Sequence, residues 1–165
     1  IRTLIGFVAI LALLLPGAVS AQKFEPQVGE AGKDVIWVPS PDEVVDRMLT
    51  MAQVTPQDFV IDLGAGDGKI AIAAAKKFGA RALGIEYSPE MVKLGNDNAR
   101  AAGVAGNGPG KAFILHGDIF ATDFSQATVV TMYLLPGLNM KLRPQLLSMR
   151  PGTRIVSHSF AMEDW

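Results

Sequence analysis

The chain has 165 residues, 49% of them hydrophobic and 19% charged, with a formal net charge of −1. That composition suits one globular domain with a sizeable core and excludes a disordered chain. It supplies no bulk basic field for nucleic acid, although a local patch stays open, and the absence of cysteine excludes disulfides, thiolate metal sites and cysteine catalysis.

Arg2, the apolar run Leu4 to Leu15, Pro16-Gly17 and the small residues Ala18 to Ala21 follow the pattern of a secretory signal with cleavage after Ala21. The run is shorter than the roughly 20 residues that span a bilayer. Extended to Ala21, it reads as an uncleaved anchor. Residues 1–21 are therefore expected to be a signal peptide or hydrophobic anchor, 22–37 a linker and 38–165 the folded domain. The protein is expected to be exported (periplasmic) or membrane-anchored, with membrane association through residues 4–21.

Ser40-Pro41-Asp42-Glu43 predicts a helix start, with Ser40 as cap and Glu43 completing a capping box. Val44, Val45, Met48 and Leu49 form its apolar face. A strand is predicted at Phe59-Val60-Ile61, a helix from Lys69 to Phe78 closed by Gly79, and a second strand from Arg81 to Ile85. Ser88-Pro89-Glu90 starts another helix, with Met91, Leu94, Asn98 and Ala102 on one face. Residues 106–110 form a loop. Further strands are expected at Ala112 to Leu115, Thr128 to Tyr133 and Arg154 to Ser157, with a helix from Leu138 to Ser148 that contains Pro144. Strands alternating with helices predict an α/β fold with a mainly parallel sheet.

The run Asp62-Leu63-Gly64-Ala65-Gly66-Asp67-Gly68 lies between the first strand and its helix. Glycines there let the backbone approach a ligand, and Glu86, at the end of the second strand, suits ribose hydroxyls. The dinucleotide fingerprint needs a small residue where Lys69 stands, so an NAD-dependent oxidoreductase is disfavoured. The run fits acid-x-G-x-G-x-G, and in this it resembles the class I S-adenosylmethionine-dependent methyltransferases.

That resemblance implies a Rossmann-like methyltransferase sandwich with S-adenosyl-L-methionine as cofactor. It implies that Asp62, Gly64, Ala65, Gly66 and Gly68 contact the methionine and ribose portion and that Glu86 holds the ribose. It places an adenine contact at Asp118, with Ile119 against the ring. Tyr87 either packs on the adenine or covers the helix behind it. The fold usually ends in a hairpin for which no residues remain, so the domain is expected to be C-terminally incomplete.

Trp37-Val38-Pro39-Ser40-Pro41, the glycine run through Ile70 and Tyr133-Leu134-Leu135-Pro136 carry a narrower likeness. They resemble the lysine methyltransferases that act on the ATP synthase c-subunit, and their bacterial relatives. This implies a protein lysine as acceptor, with Tyr133 and Pro136 at its pocket and His158 and Phe160 flanking it. The Asn/Asp-Pro-Pro-aromatic motif of nucleic-acid amino methyltransferases is missing after the fourth strand, and no nucleic-acid partner is expected. A small-molecule methyltransferase and a non-catalytic S-adenosylmethionine-binding protein stay open as alternatives. No metal site is expected.

Overall fold

The computed structural model describes residues 24–162. Nine elements follow one another: α1 (Asp42–Met51), β1 (Phe59–Leu63), α2 (Lys69–Phe78), β2 (Arg81–Glu86), α3 (Pro89–Ala101), β3 (Ala112–His116), β4 (Val129–Met132), α4 (Pro136–Leu147) and β5 (Arg154–Ser157). The strands form one sheet in the order β3-β2-β1-β4-β5, and every neighbouring pair is parallel. The expected α/β architecture is therefore present.

Both faces of the sheet are covered, which parallel strands require. Val60, Ala82, Ala112, Ile114 and Val129 pack with α1, α2 and α3 residues such as Leu49, Ala71 and Ala99. Alternate positions, Ile61, Leu63, Ile85, Val130 and Met132, pack with Leu142 and Leu146 of α4. Chain order runs outward from β1 on one side and from β4 on the other. A crevice at the carboxyl ends of these two strands is where ligands bind in such sheets.

Two local expectations are corrected. Ser40 does not cap α1: Pro41 holds that position and no side chain caps it. The Ser40 hydroxyl is instead hydrogen-bonded with Nδ1 of His158 at 2.8 Å. At α3 the cap does form, with the Met91 amide donating to Ser88 Oγ at 3.3 Å. Its buried face, however, is Met91, Gly95 and Ala99, one step round from the face read in the sequence. Gly95 permits the close approach. A Cβ there would lie 2.7 Å from Cγ1 of Ile114. The same Ile114 side chain stands 2.7 Å from a Cβ built on Gly84 and 3.0 Å from one on Gly68.

The exported or membrane-anchored placement is also corrected. No helix among the described residues is long and apolar enough to cross a membrane. The segment that suggested the placement, residues 4–21, lies outside the described residues.

Gly95→Val is expected to lower unfolding stability by about 1–3 kcal/mol through overpacking. Gly137→Ala, where a Cβ meets nothing within 4 Å, is expected to be neutral or to stabilise by up to about 1 kcal/mol. Urea denaturation of the two variants checks the contrast.

Candidate functional site

The carboxyl ends of the strands open into a cleft of about 380 Å³, within the size range of small-molecule and cofactor sites. Its floor is the turn between β1 and α2. Gly64, Gly66 and Gly68 all have positive φ, at 76°, 54° and 82°. The amides of Gly64 and Ala65 donate to the Ile85 carbonyl at 2.9 and 3.0 Å, so the turn hangs from the end of β2. Glu86 completes the attachment. Its Oε2 accepts from the Gly66 amide at 2.8 Å, and its Oε1 accepts from the Ser88 amide at 2.9 Å.

Asp62 lies beneath the turn with 2% of its surface exposed. Burial pushes its carboxyl up to about 7, with the nearby Glu86 and Asp67 charges adding to the shift. A hydrogen bond from Thr131 Oγ1 at 2.7 Å opposes it. Asp67, half-buried, is raised chiefly by desolvation.

Among the residues named from the sequence, Asp62, Gly64, Ala65, Gly66, Glu86, Tyr87, Asp118, Ile119 and Tyr133 all line this cleft. Gly68 and Pro136 do not. Gly68 faces Ile114 and Gly95, where it allows α2 and α3 to pack closely, and Pro136 is the first residue of α4. Phe160 lines the cleft beside Tyr133, their rings stacked with centroids 6.2 Å apart. His158 lies against Tyr133, with ring centroids 3.9 Å apart.

Residues 24–37, the described part of the expected linker 22–37, contribute much of the cleft wall. The Gly29 amide bonds the Trp37 carbonyl, the Trp37 amide bonds the Glu30 carbonyl, and Ala31 bridges Ile36 in antiparallel fashion. This strap brings the Trp37 indole onto the glycine turn, where a Cβ on Gly66 would sit 2.8 Å from Nε1. It also brings in Lys33, whose Nζ lies 2.7 Å from Asp118 Oδ2 and 4.4 Å from the Tyr87 ring centroid. The hydrogen bond from Lys33 holds the Asp118 carboxyl below its usual value. Sequence reasoning missed Lys33 because a lone lysine between glycine and aspartate carries no periodicity. Trp37 was a usable cue, as a large aromatic within the apolar run Val35 to Pro39 that follows a polar stretch.

The chain is similar to proteins of defined family. Residues 62–165 match the family model described as the ANTKMT methyltransferase domain. A protein-lysine N-methyltransferase from Saccharolobus islandicus (strain REY15A) is 45% identical, over 79% of this chain and 80% of its own length. The ATP synthase c-subunit lysine N-methyltransferase of Mus musculus is 31% identical over 78% of this chain, which spans only 50% of that protein. The crystal structure of an RNA methyltransferase from Salinibacter ruber, in complex with S-adenosyl-L-homocysteine, superposes with a TM-score of 0.73 at 51% identity and covers 78% of this chain and 82% of that one. With a family model spanning more than half of its residues and a relative matched along most of both lengths, the chain belongs to the ANTKMT methyltransferase domain family.

Proposed function

We propose that the chain binds S-adenosylmethionine in this cleft and methylates the side-chain amine of a protein lysine. The observation that carries the reading is the glycine turn fastened to Glu86 at one end of a cleft whose other end is aromatic. The turn fits the cofactor because its inner surface is backbone: a Cβ on Gly66 would run into Trp37, and one on Gly64 would lie 2.9 Å from Cδ2 of Leu134.

Asp62 and residues 64–66 would hold the methionine and ribose portion, Glu86 the ribose hydroxyls, and Tyr87, Asp118 and Ile119 the adenine. The bound cofactor supplies an activated methyl group and a neutral leaving group, so the protein's work is to position the acceptor and exclude water. Tyr133, Leu135, Leu138 and Phe160 wall the opposite end. Apolar walls disfavour an ammonium and favour the neutral amine that attacks.

The RNA methyltransferase likeness motivates a second reading, with RNA as acceptor. The charge distribution favours protein. Among the described residues two lysines line the cleft, and both are paired, Lys33 with Asp118 and Lys69 with Asp42. Neither is left for phosphates, which nucleic-acid binding engages.

Incubation with methyl-labelled S-adenosylmethionine and separated cell fractions is expected to label protein at lysine. Label confined to RNA or to small molecules would transfer the activity to those acceptors, and no label would favour a non-catalytic binding protein. Glu86→Ala is expected to weaken S-adenosylhomocysteine binding roughly 10–100-fold by calorimetry, the range for hydrogen bonds to a charged group.

Asp62 gives a pH-dependent expectation. Its carboxyl titrates near about 7 when folded, against about 3.9 in an unfolded chain. The folded state therefore holds the extra proton between these values, and stability falls as pH rises from about 4 to about 7. Asp62→Asn keeps an acceptor for Thr131 and removes the buried charge. It is expected to stabilise the ligand-free protein by roughly 1–3 kcal/mol at about pH 8 and by little at about pH 4. The same change is expected to weaken S-adenosylhomocysteine binding. Denaturation at the two pH values, with calorimetry, checks both.

A further inference from the structure

Ser40 occupies a sequence context made for a helix cap, and its hydroxyl is used elsewhere. It is only 6% exposed and meets His158 Nδ1 at 2.8 Å, across 118 positions of chain. The Ser40 carbonyl is held as well, accepting from Lys69 Nζ at 3.1 Å. On the other side, His158 belongs to a tightly determined turn at the end of β5. Ser159 adopts φ of 62°, in the left-handed region that L side chains rarely enter. Phe160 N bonds the His158 carbonyl at 2.7 Å. The Phe160 carbonyl accepts from Ser157 Oγ at 2.5 Å and from Asn139 Nδ2 at 3.1 Å. A residue of uncommon backbone conformation, whose neighbours on both sides are held by several bonds, raises the question of what the turn positions.

What this turn positions is Tyr133. The His158 and Phe160 rings both contact it, at centroid distances of 3.9 and 6.2 Å. Ser40, Tyr133 and Phe160 line the cleft, and His158 is not among the lining residues. Burial holds His158 below its ordinary pKa, which favours the neutral ring, and its Nδ1 shares one hydrogen bond with the Ser40 hydroxyl.

We propose that Ser40 and His158 form a positioning pair for the acceptor end of the cleft, the serine fixing the imidazole and the imidazole fixing the plane of Tyr133. The inference rests on the methyl-transfer reading for what the cleft accepts, and on the Ser40–His158–Tyr133 contacts alone for the positioning. His158 is a positioning residue and does not touch the acceptor. The pair also joins the start of α1 to the end of β5, so the wall beside the acceptor is held from two elements far apart in the chain.

The test separates hydrogen bond from ring. Ser40→Ala removes the hydroxyl and keeps the imidazole; His158→Phe keeps a ring and removes Nδ1. With heat-denatured cell protein as acceptor, each is expected to raise the acceptor KM about tenfold. Change in kcat is expected to stay below about threefold, with S-adenosylhomocysteine affinity within about twofold. The double variant is expected to be no worse than either single one, because both changes break one interaction. His158→Asn, whose amide offers both an acceptor and a donor to the Ser40 hydroxyl, is expected to recover part of the loss.

A readout independent of the acceptor comes from fluorotyrosine labelling, since the chain has only Tyr87 and Tyr133. The fluorine resonance that persists in Tyr87→Phe is expected to shift or broaden in Ser40→Ala. Additive losses in the double variant, an equal fall in S-adenosylhomocysteine affinity, or an unmoved Tyr133 resonance would each overturn the pair. If the resonance moves and the unaltered protein methylates no protein, the lysine reading fails and the pair stands.

Discussion

The hydrogen bond from the Gly66 amide to the Glu86 carboxylate is the constraint on which the cleft depends. Together with the Gly64 and Ala65 amides on the Ile85 carbonyl, it hangs the β1–α2 turn from the neighbouring strand. The turn then points its backbone, and not its side chains, into the crevice. Because β1 and β2 are paired with Leu63 opposite Ile85, a slip in register would reverse the faces of β1 and dismantle the turn together. Core packing and site geometry are specified by the same pairing. One carboxylate serves as a structural brace towards the protein and as a polar wall towards the cleft.

Much of this is legible in the chain itself. The bounds of α2 and β5 coincide with the predicted Lys69 to Phe78 and Arg154 to Ser157; glycines punctuate both ends of α2, and Pro151-Gly152 precedes β5. The loop and its two acids are readable because their chemistry demands fixed residue types at fixed spacing. What escapes reading depends on partners distant in sequence. The inner face of α3 is carried by Gly95 and Ala99, which contribute little hydrophobicity, so periodicity selects Leu94 and Asn98 instead. The Ser40 hydroxyl follows capping rules until a histidine from the end of β5 outcompetes the helix. The strap is illegible for the same reason: its internal bonds are few, and its place is set by Trp37 on Gly66 and Lys33 on Asp118.

The site also holds a thermodynamic compromise. Asp62 is buried where its charge is unwelcome, with Thr131 as a compensating donor. A leucine or valine would suit the surrounding core, since Val60, on the same face of β1 as Asp62, is buried and apolar. The carboxylate is therefore best understood as a feature retained for what enters the cleft, at a cost borne by the empty protein. The strained Ser159 at the end of β5 belongs to the same category. Both lie at the carboxyl edge of the sheet, while the opposite edge is braced by ordinary pairs such as Asp58 with Arg154.

Ile114 ties the descent of the domain to its packing. Its side chain fills the space that three glycines leave open, from the turn (Gly68), from β2 (Gly84) and from α3 (Gly95). These four positions share one volume, so they do not drift independently. A larger residue at Gly95 is accommodated only after position 114 has shrunk, whereas Gly84 is also closed off by Ala65, 2.5 Å from its Cβ position, and Gly68 by its φ of 82°. Divergence is thus expected to proceed in paired steps between positions 95 and 114, with Gly68 and Gly84 held fixed by further constraints. The order of those steps is set by packing, although only one of the four positions belongs to the glycine run that marks the site.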